Sequence, residues 1–441
     1  MKLIRTQSYL ITPKRTISDF VSFPIQNYNP QTKNLISHTN NNSEKYLNAP
    51  RLKIPLLRAP SHLGHCSYRM QRLYNEDRYA ANVIELPMKL DDYGLDKWIQ
   101  HKCFTASVFD GHGGDSSSNF LQEELNKEIE STIPSKEGLD RTLKTFKDDI
   151  GGYWKRIFKK KNDIYDELKP NEEDIDDLRL RLYQSYLNLD YKILKQESSR
   201  SKDSGNLLKG SGSTSTSVFL YNLNIRDNVN LYFNNSTISR LYISQVGDSK
   251  AIICARDGIA HSLNSIHHPT SLVESKRLNK YSAGFATDSF GENRFLNYAN
   301  TRAFGDLIGK SKGISAEPDI TSYIVGDSNL IFKHNLINET VAKKGGDECF
   351  LVLVSDGISN FATDQEIVDL VMTTYNHKYD RTSPQECAEE VVKYVEAIGG
   401  DDNASCLVIR LNNWGHWPEN DRTGQLREDK LKDSISKMER R

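Results

Sequence analysis

Phe104-Thr-Ala-Ser-Val-Phe109 runs directly into Asp110-Gly-His-Gly-Gly114. An apolar stretch with β character stops abruptly at a carboxylate, a histidine and a cluster of glycines. Glycine lets backbone approach a bound ion or phosphate closely, because no Cβ intervenes. A strand end gives the carboxylate a rigid mount, and Asp110 is then placed to grip a hard cation. A tight structural turn would use the same residues, so the rest of the chain has to decide.

Four further segments carry acids at expected strand ends or in turns. They are Arg72-Leu-Tyr-Asn-Glu76-Asp77, Val246-Gly-Asp248-Ser249, Leu351-Val-Leu-Val-Ser-Asp356-Gly357 and Gly399-Gly-Asp-Asp402-Asn403. In this order and context they resemble the metal-dependent, type 2C family of protein serine/threonine phosphatases. Gly210-Ser-Gly-Ser-Thr214, Thr301-Arg-Ala-Phe-Gly-Asp306 and Glu317-Pro-Asp319 extend the resemblance over roughly residues 60 to 411. The expected class is α+β. Strands grouped together with helices in pairs argue for two sheets covered by helices. The resemblance implies a central β-sandwich of two antiparallel sheets flanked by helix pairs, with the metal site at one edge between the sheets.

Composition narrows the setting. The 441 residues suffice for one large domain or two ordinary ones, and at 37% hydrophobic and 27% charged the chain is polar for a compact protein. Loop or disordered segments are therefore expected. A formal net charge of −1 gives no general attraction to nucleic acid or an anionic membrane. No apolar run approaches the length of a transmembrane helix. Cys66, Cys103, Cys254, Cys349, Cys387 and Cys406 form no C-x-x-C pair and fall mostly in or beside apolar runs, so buried free thiols are expected.

Residues 1 to 18 contain Lys2, Arg5, Lys14 and Arg15 and no acid, with Thr6, Ser8, Thr12, Thr16 and Ser18 between short apolar pairs. A basic, hydroxyl-rich, acid-poor segment has the signature of a mitochondrial presequence. The Asn-rich continuation Thr39-Asn-Asn-Asn-Asn-Ser43 also permits a disordered tail. The resulting domain plan is a targeting or disordered segment over 1–45 and a catalytic domain over 46–412, followed by a polar tail over 413–441. A surface insertion is expected around 150–210. The expected address is the mitochondrial matrix or intermembrane space, the cytoplasm being the alternative, and the family member would be a fungal mitochondrial one.

Periodicity places the elements. Strands are expected at 66–70 and 78–85, on either side of the Arg72–Glu76 turn, and at 104–109, 214–223, 350–355 and 406–411. Leu241–Val246 and Lys250–Ala255 read as a compact hairpin around Gly247-Asp248-Ser249. Helices are expected at 117–131, 139–160, 176–198, 271–280, 364–375 and 384–398, the last two started by Thr363 and Ser383-Pro384. Lys159 to Asp177 reads as an exposed excursion, Glu197 to Ser213 as a mobile linker, and Ser282 to Glu292 as a glycine-bearing loop.

The resemblance assigns chemistry residue by residue. Phosphomonoester hydrolysis has a very high uncatalysed barrier, which two divalent ions address by neutralising the phosphate and activating a water. Mg²⁺ and Mn²⁺ prefer carboxylate, carbonyl and water ligands. Asp110 matches the bridging carboxylate, the Gly111 carbonyl a further ligand, Glu76 the second-ion ligand, and Asp356 and Asp402 the acids around the first ion. Arg72 matches the arginine that grips phosphate with its planar fork, with Arg69 as a rival. His112 matches the proton donor to the leaving seryl or threonyl oxygen. Asp77 is expected to support the neighbouring ligands rather than bind metal itself. Each acid alone would serve equally as a turn or capping residue.

Two departures stand out. The family's Asp-Gly-x-Trp-Asp appears as Asp356-Gly-Ile-Ser-Asn360, which weakens a third metal position for which Asp248 and Asp356 remain. The family's Asp-His-x-Pro appears as Ile266-His267-His268-Pro269, and these histidines read as loop residues. The resemblance thus implies an active phosphatase with two Mg²⁺ or Mn²⁺ ions, a weak third at most, acting as a monomer on phosphorylated proteins. Mitochondrial enzymes such as the pyruvate dehydrogenase complex are candidate substrates by analogy alone. The rival is a pseudophosphatase that binds phosphoproteins without hydrolysing them. Loss of metal acids would mark it, and Glu76, Asp110, Asp356 and Asp402 are all present.

Overall fold

The computed structural model describes residues 18–24, 28–29, 34–35, 51–92, 95–158, 162–168, 177–204, 210–223, 237–279, 284–289, 291, 293–377 and 382–439. Two five-stranded antiparallel sheets form its centre. The first runs Asp319–Gly326, Ile238–Val246, Ser215–Asn222, Leu95–Phe109, Arg78–Asp92. The second runs Ala260–Ser262, Lys250–Cys254, Phe350–Val354, Ala404–Arg410, Leu63–Tyr68.

Three apolar layers follow from the period-two alternation of strands. Ala251, Ile253, Leu351, Leu353, Leu407 and Ile409 face inward and meet Val83, Phe104, Ala106, Val218 and Ile243 of the other sheet. Their neighbours Ile252, Val352, Val354, Cys406 and Val408 face outward, against Ile367 and Val371 of helix Asp364–His377 and Val391 and Val395 of helix Pro384–Ala397. Both faces are covered, so these strands are apolar at nearly every position. On the outer face of the first sheet, Ile84, Phe109 and Phe219 pack with Leu121 and Leu125 of helix Ser116–Ser131 and with Leu182, Tyr186 and Leu189 of helix Leu178–Ser204. The β-sandwich between helix pairs is as expected, and all six cysteines are free. Among the described residues no helix is long and apolar enough to cross a membrane.

Several boundaries differ from the sequence reading. Ile238–Val246 and Lys250–Cys254 form no hairpin: each joins a different sheet, and Gly247-Asp248-Ser249 is the crossover between them. The strands beside the Arg72–Glu76 turn likewise belong to opposite sheets. The helix expected over 139–160 is broken, Lys136–Thr145 and Tyr153–Phe158 being separated by a π turn and by Gly151 and Gly152 at φ 72° and 50°. Helix Leu178–Ser204 extends into the expected linker, and it packs on the first sheet instead of forming a surface insertion. The rest of the charged excursion, apart from helix Asn162–Leu168, lies largely outside the described residues. The glycine-bearing loop is edged by the small hairpin Phe285–Thr287 with Asn293–Phe295.

The ends also differ. Residues 1–17 lie outside the described residues. Ordered pairing nevertheless begins well before residue 46: Phe20–Pro24 pairs with Arg51–Pro55, and Ser18 exchanges backbone hydrogen bonds of 3.0 and 2.8 Å with Val83. The expected polar tail is instead packed onto the second helix layer. Trp414 and Trp417, ring centres 5.2 Å apart, are buried against Phe350 and Tyr375. Helix Gly424–Glu439 supplies Lys430 to the buried Glu366 (2.8 Å) and Arg427 to the buried Asp369 (3.9 Å). Paired charges over a stripe of aromatics read as polar in sequence and pack as a clasp.

Deleting a buried aromatic costs about 3–5 kcal/mol, and stripping a buried acid of its cation costs a similar amount. Removal of residues 412–441 is therefore expected to leave the protein unfolded or to lower its denaturant midpoint severely. Urea unfolding followed by far-ultraviolet circular dichroism would check it, a midpoint equal to that of the full chain contradicting the clasp.

Candidate active site

The crossovers and turns at one edge of the sandwich converge on a cavity of about 990 Å³ lined by Arg72, Glu76, Asp110, Gly111, His112, Asp248, Asp356 and Asp402. The eight residues expected to hold metal or substrate therefore meet in one place. Within it, carboxylate oxygens of Asp110, Asp248 and Asp356 lie within 4.8 Å of one another. Asp110 ends strand Leu95–Phe109, Asp356 follows strand Phe350–Val354, and Asp248 sits in the crossover between sheets. Both sheets thus contribute an acid, and the sandwich core fixes their separation.

Glu76 and Asp402 lie outside this three-acid cluster. Glu76 Oε1 accepts from Gly114 N (2.7 Å), while its own carbonyl accepts from Ser118 Oγ (2.6 Å). Gly111 sits beneath that carbonyl, where a Cβ would come within 2.5 Å of it. Only glycine allows so close an approach. Asp402 Oδ2 receives Arg72 Nη2 at 2.6 Å. Arg69, the rival arginine, donates to the Arg72 carbonyl and so shapes the turn.

Electrostatics separates these acids from ordinary surface carboxylates. Burial, then repulsion from Asp356, Asp77 and Asp248, pushes Asp110 well above the usual carboxylate range. Asp248 is pushed up to about 7 by burial and then by Asp356. Asp356 is raised too, chiefly by burial. Asp77, also lifted to about 7 by burial, accepts from Ser355 Oγ (2.8 Å) and Ser405 Oγ (2.7 Å), but its buried Oδ1 has no hydrogen-bond partner. Three oxygen ligands crowded in a low dielectric are the donor set that a hard divalent cation relieves. The residues fit such an ion.

Three contributors escaped the sequence reading. Burial opposes charge on His112, but Asp306 Oδ2 at 2.9 Å from Nε2 outweighs it and raises the imidazole net. Asp306 closes the quoted Thr301-Arg-Ala-Phe-Gly-Asp306 motif, and an acid at a motif's end was the available signal. Asn403 takes the Glu76 N–H on Oδ1 (2.8 Å) and donates to the Arg69 and Tyr74 carbonyls, tying the Arg72 turn to the Asp402 loop. His267 is no mere loop residue. Burial and then Arg302 lower its pKa, so the neutral ring accepts Gly247 N–H at Nδ1 (3.0 Å) and contacts Asp319 through Nε2 (3.0 Å). It thereby pins the turn that carries Asp248.

The protein phosphatase 2C family model matches residues 100–332 and 337–404. The chain belongs to the protein phosphatase 2C family. It is a protein serine/threonine phosphatase by class, and that family is metal-dependent. Protein phosphatase 2C homolog 4 of Schizosaccharomyces pombe is 34% identical over 387 residues, 87% of this chain and 88% of that protein. Protein phosphatase 1K, mitochondrial, of Xenopus laevis is 33% identical over 177 residues, 40% of each chain. The solved structure of a C. elegans sex determining protein aligns at a TM-score of 0.50 and 18% identity, over 84% of this phosphatase and 67% of that chain. That likeness concerns the fold alone.

The raised carboxylates give the metal-free phosphatase an unusual pH response. Unfolded aspartate has a pKa of about 4. Between that value and about 7, where Asp248 and Asp77 titrate in the fold, the native state binds more protons than the unfolded one. Stability then falls as pH rises. Metal-stripped protein is expected to melt higher at pH 5.5 than at pH 8, and Mg²⁺ or Mn²⁺ should restore the loss at pH 8. Calorimetry with and without chelator would test this, a chelated protein gaining stability from pH 5.5 to 8 being the contrary result.

Proposed function

We propose that this phosphatase hydrolyses phosphoserine and phosphothreonine in protein substrates at a site holding two Mg²⁺ or Mn²⁺ ions. The ligands would be Glu76, Asp110, the Gly111 carbonyl, Asp356 and Asp402, with Asp248 in the adjoining position. The observation that carries the reading is the convergence of Asp110, Asp248 and Asp356 carboxylates within 4.8 Å, all raised chiefly by burial, with repulsion among them adding at Asp110 and Asp248. Bound ions would neutralise the substrate dianion and supply a nucleophile at neutral pH. Neutral amides crowd the outer position: Asn300 Nδ2 donates to Asp248 (3.0 Å) and Asn360 Nδ2 approaches Asp356 (3.4 Å). Fewer charges there support a weak third ion at most.

The chain's own groups divide the remaining work. Arg72 is 58% exposed at the cavity wall and already charge-paired with Asp402, so its guanidinium is oriented before substrate arrives. Its planar fork would hold two phosphate oxygens. His112, whose charged form Asp306 favours, would give a proton to the departing seryl or threonyl oxygen, which leaves poorly as an alkoxide.

Turnover of a phosphothreonine peptide is expected to require Mn²⁺ or Mg²⁺ and to fall by several orders of magnitude in Asp110→Asn or Asp356→Asn. Arg72→Ala should chiefly raise KM, and His112→Gln should chiefly lower kcat, less so for aryl phosphates. Steady-state kinetics on both substrate types would decide, full activity of Asp110→Asn in chelator sinking the metal reading.

The basic, acid-free residues 1–17 support import into mitochondria, and the Xenopus relative carries a mitochondrial name. Substrates would then be phosphoproteins of that compartment. A fusion of residues 1–45 to a fluorescent protein is expected to reach mitochondria, and Arg5→Glu with Lys14→Glu and Arg15→Glu should prevent it. Uniform cytosolic fluorescence of the unchanged fusion would leave the segment as a plain polar extension.

A further inference from the structure

Asp190 and Lys310 are completely buried, with Lys310 Nζ 2.7 Å from Asp190 Oδ2. A buried ion pair is seldom a net source of stability, since desolvation offsets most of its attraction. Its placement therefore calls for another account. Asp190 comes from helix Leu178–Ser204 and also accepts Gly305 N–H on Oδ1 (2.9 Å). Lys310 also donates to the Ala303 carbonyl (2.6 Å). The pair thus clamps both sides of the turn Ala303-Phe304-Gly305-Asp306.

Asp306 leaves that turn at φ 52° and ψ 49°, a left-handed conformation uncommon outside glycine. It opens the short helix Leu307–Lys310 yet caps none of its N–H groups with its side chain. The carboxylate goes to His112 instead. Phe304–Gly305, Gly212–Ser213 and Gly111–His112 form a small sheet in which Gly212 lies between Gly305 and His112. A Cβ on Gly212 would come within 2.2 Å of His112 Nε2 and 2.7 Å of Asp306 Oδ2. One helical turn thus carries the acid that holds His112 at its start and the lysine that anchors the turn at its end.

We propose that the buried Asp190–Lys310 pair is a strut that positions Asp306, and through it His112, for protonation of the leaving oxygen. Asp190, Lys310 and Asp306 are positioning residues. The inference rests on the phosphatase reading above. Its mark is a loss that grows with the leaving group's need for a proton, since a correctly held general acid matters little to a good leaving group.

The test compares a phosphothreonine peptide with 4-nitrophenyl phosphate at saturating Mn²⁺. Asp190→Asn with Lys310→Met removes both charges together, so no ion is left buried alone, and the substituted amide keeps an acceptor for the Gly305 N–H. The double variant is expected to lose about tenfold or more in kcat on the peptide with KM unchanged, and less than about threefold on the aryl ester. Asp306→Asn should give the same split. If the double variant does not fold, Lys310→Met alone, in which the buried Asp190 can lose its charge by taking up a proton, is read on the same two substrates and is expected to show the same direction. Equal losses on both substrates, or none on either, in folded protein overturn the strut. Absence of metal-dependent turnover by the unaltered protein on both substrates would instead overturn the phosphatase reading itself.

Discussion

Repulsion among buried carboxylates is the constraint around which this molecule is arranged. Asp110, Asp248 and Asp356 are held where burial raises all three, with Asp356 repelling the other two and Asp402 repelling Asp356. Nothing local would hold them so: each would relax toward water if its backbone were free to move. The restraint comes from the sandwich. Apolar side chains on both faces of the central strands lock the two sheets, and the acids are mounted at strand ends or in the crossover between the sheets. Packing energy spread over many residues is thereby concentrated as electrostatic tension at one edge, which a divalent cation would release.

Around that edge the polar contacts serve as braces. Asn403 links two loops, His267 pins the Asp248 turn, and Ser355 and Ser405 share Asp77. Each brace spans segments far apart in sequence, so a loop cannot drift without breaking bonds to another loop. That interdependence favours a site organised before ligands arrive, which is where electrostatic catalysis gains most.

The sandwich, its helix layers and the eight residues of the cavity were legible because each rests on local patterning or a contiguous motif. Alternation made Phe350–Val354 a strand, and Ser383-Pro384 marked a helix start that the capping box with Glu386 bears out. What escaped was long-range. Gly247-Asp248-Ser249 looks the same whether its flanking strands pair with each other or enter opposite sheets, and only the pairing with Ser215–Asn222 and Phe350–Val354 decides. Residues 413–439 read as a tail because their charges were counted as solvated, whereas Arg427 and Lys430 find buried acids in helix Asp364–His377. Asp306 stood in a recognisable motif, but its partner lies 194 residues earlier.

That last separation bears on how the site is controlled. His112 lies in the two-residue strand Gly111–His112 just past Asp110, while the acid that holds it is mounted on a turn secured by helix Leu178–Ser204. The His112–Asp306 contact thus draws on the buried Asp190–Lys310 pair, whereas Asp110 and Asp356 follow strands of the two central sheets. Small motions of that turn are costly, because any displacement of Lys310 from Asp190 leaves two charges unpaired in the core. The support for His112 is therefore stiff by the same physics that raises the three acids: charge kept out of water.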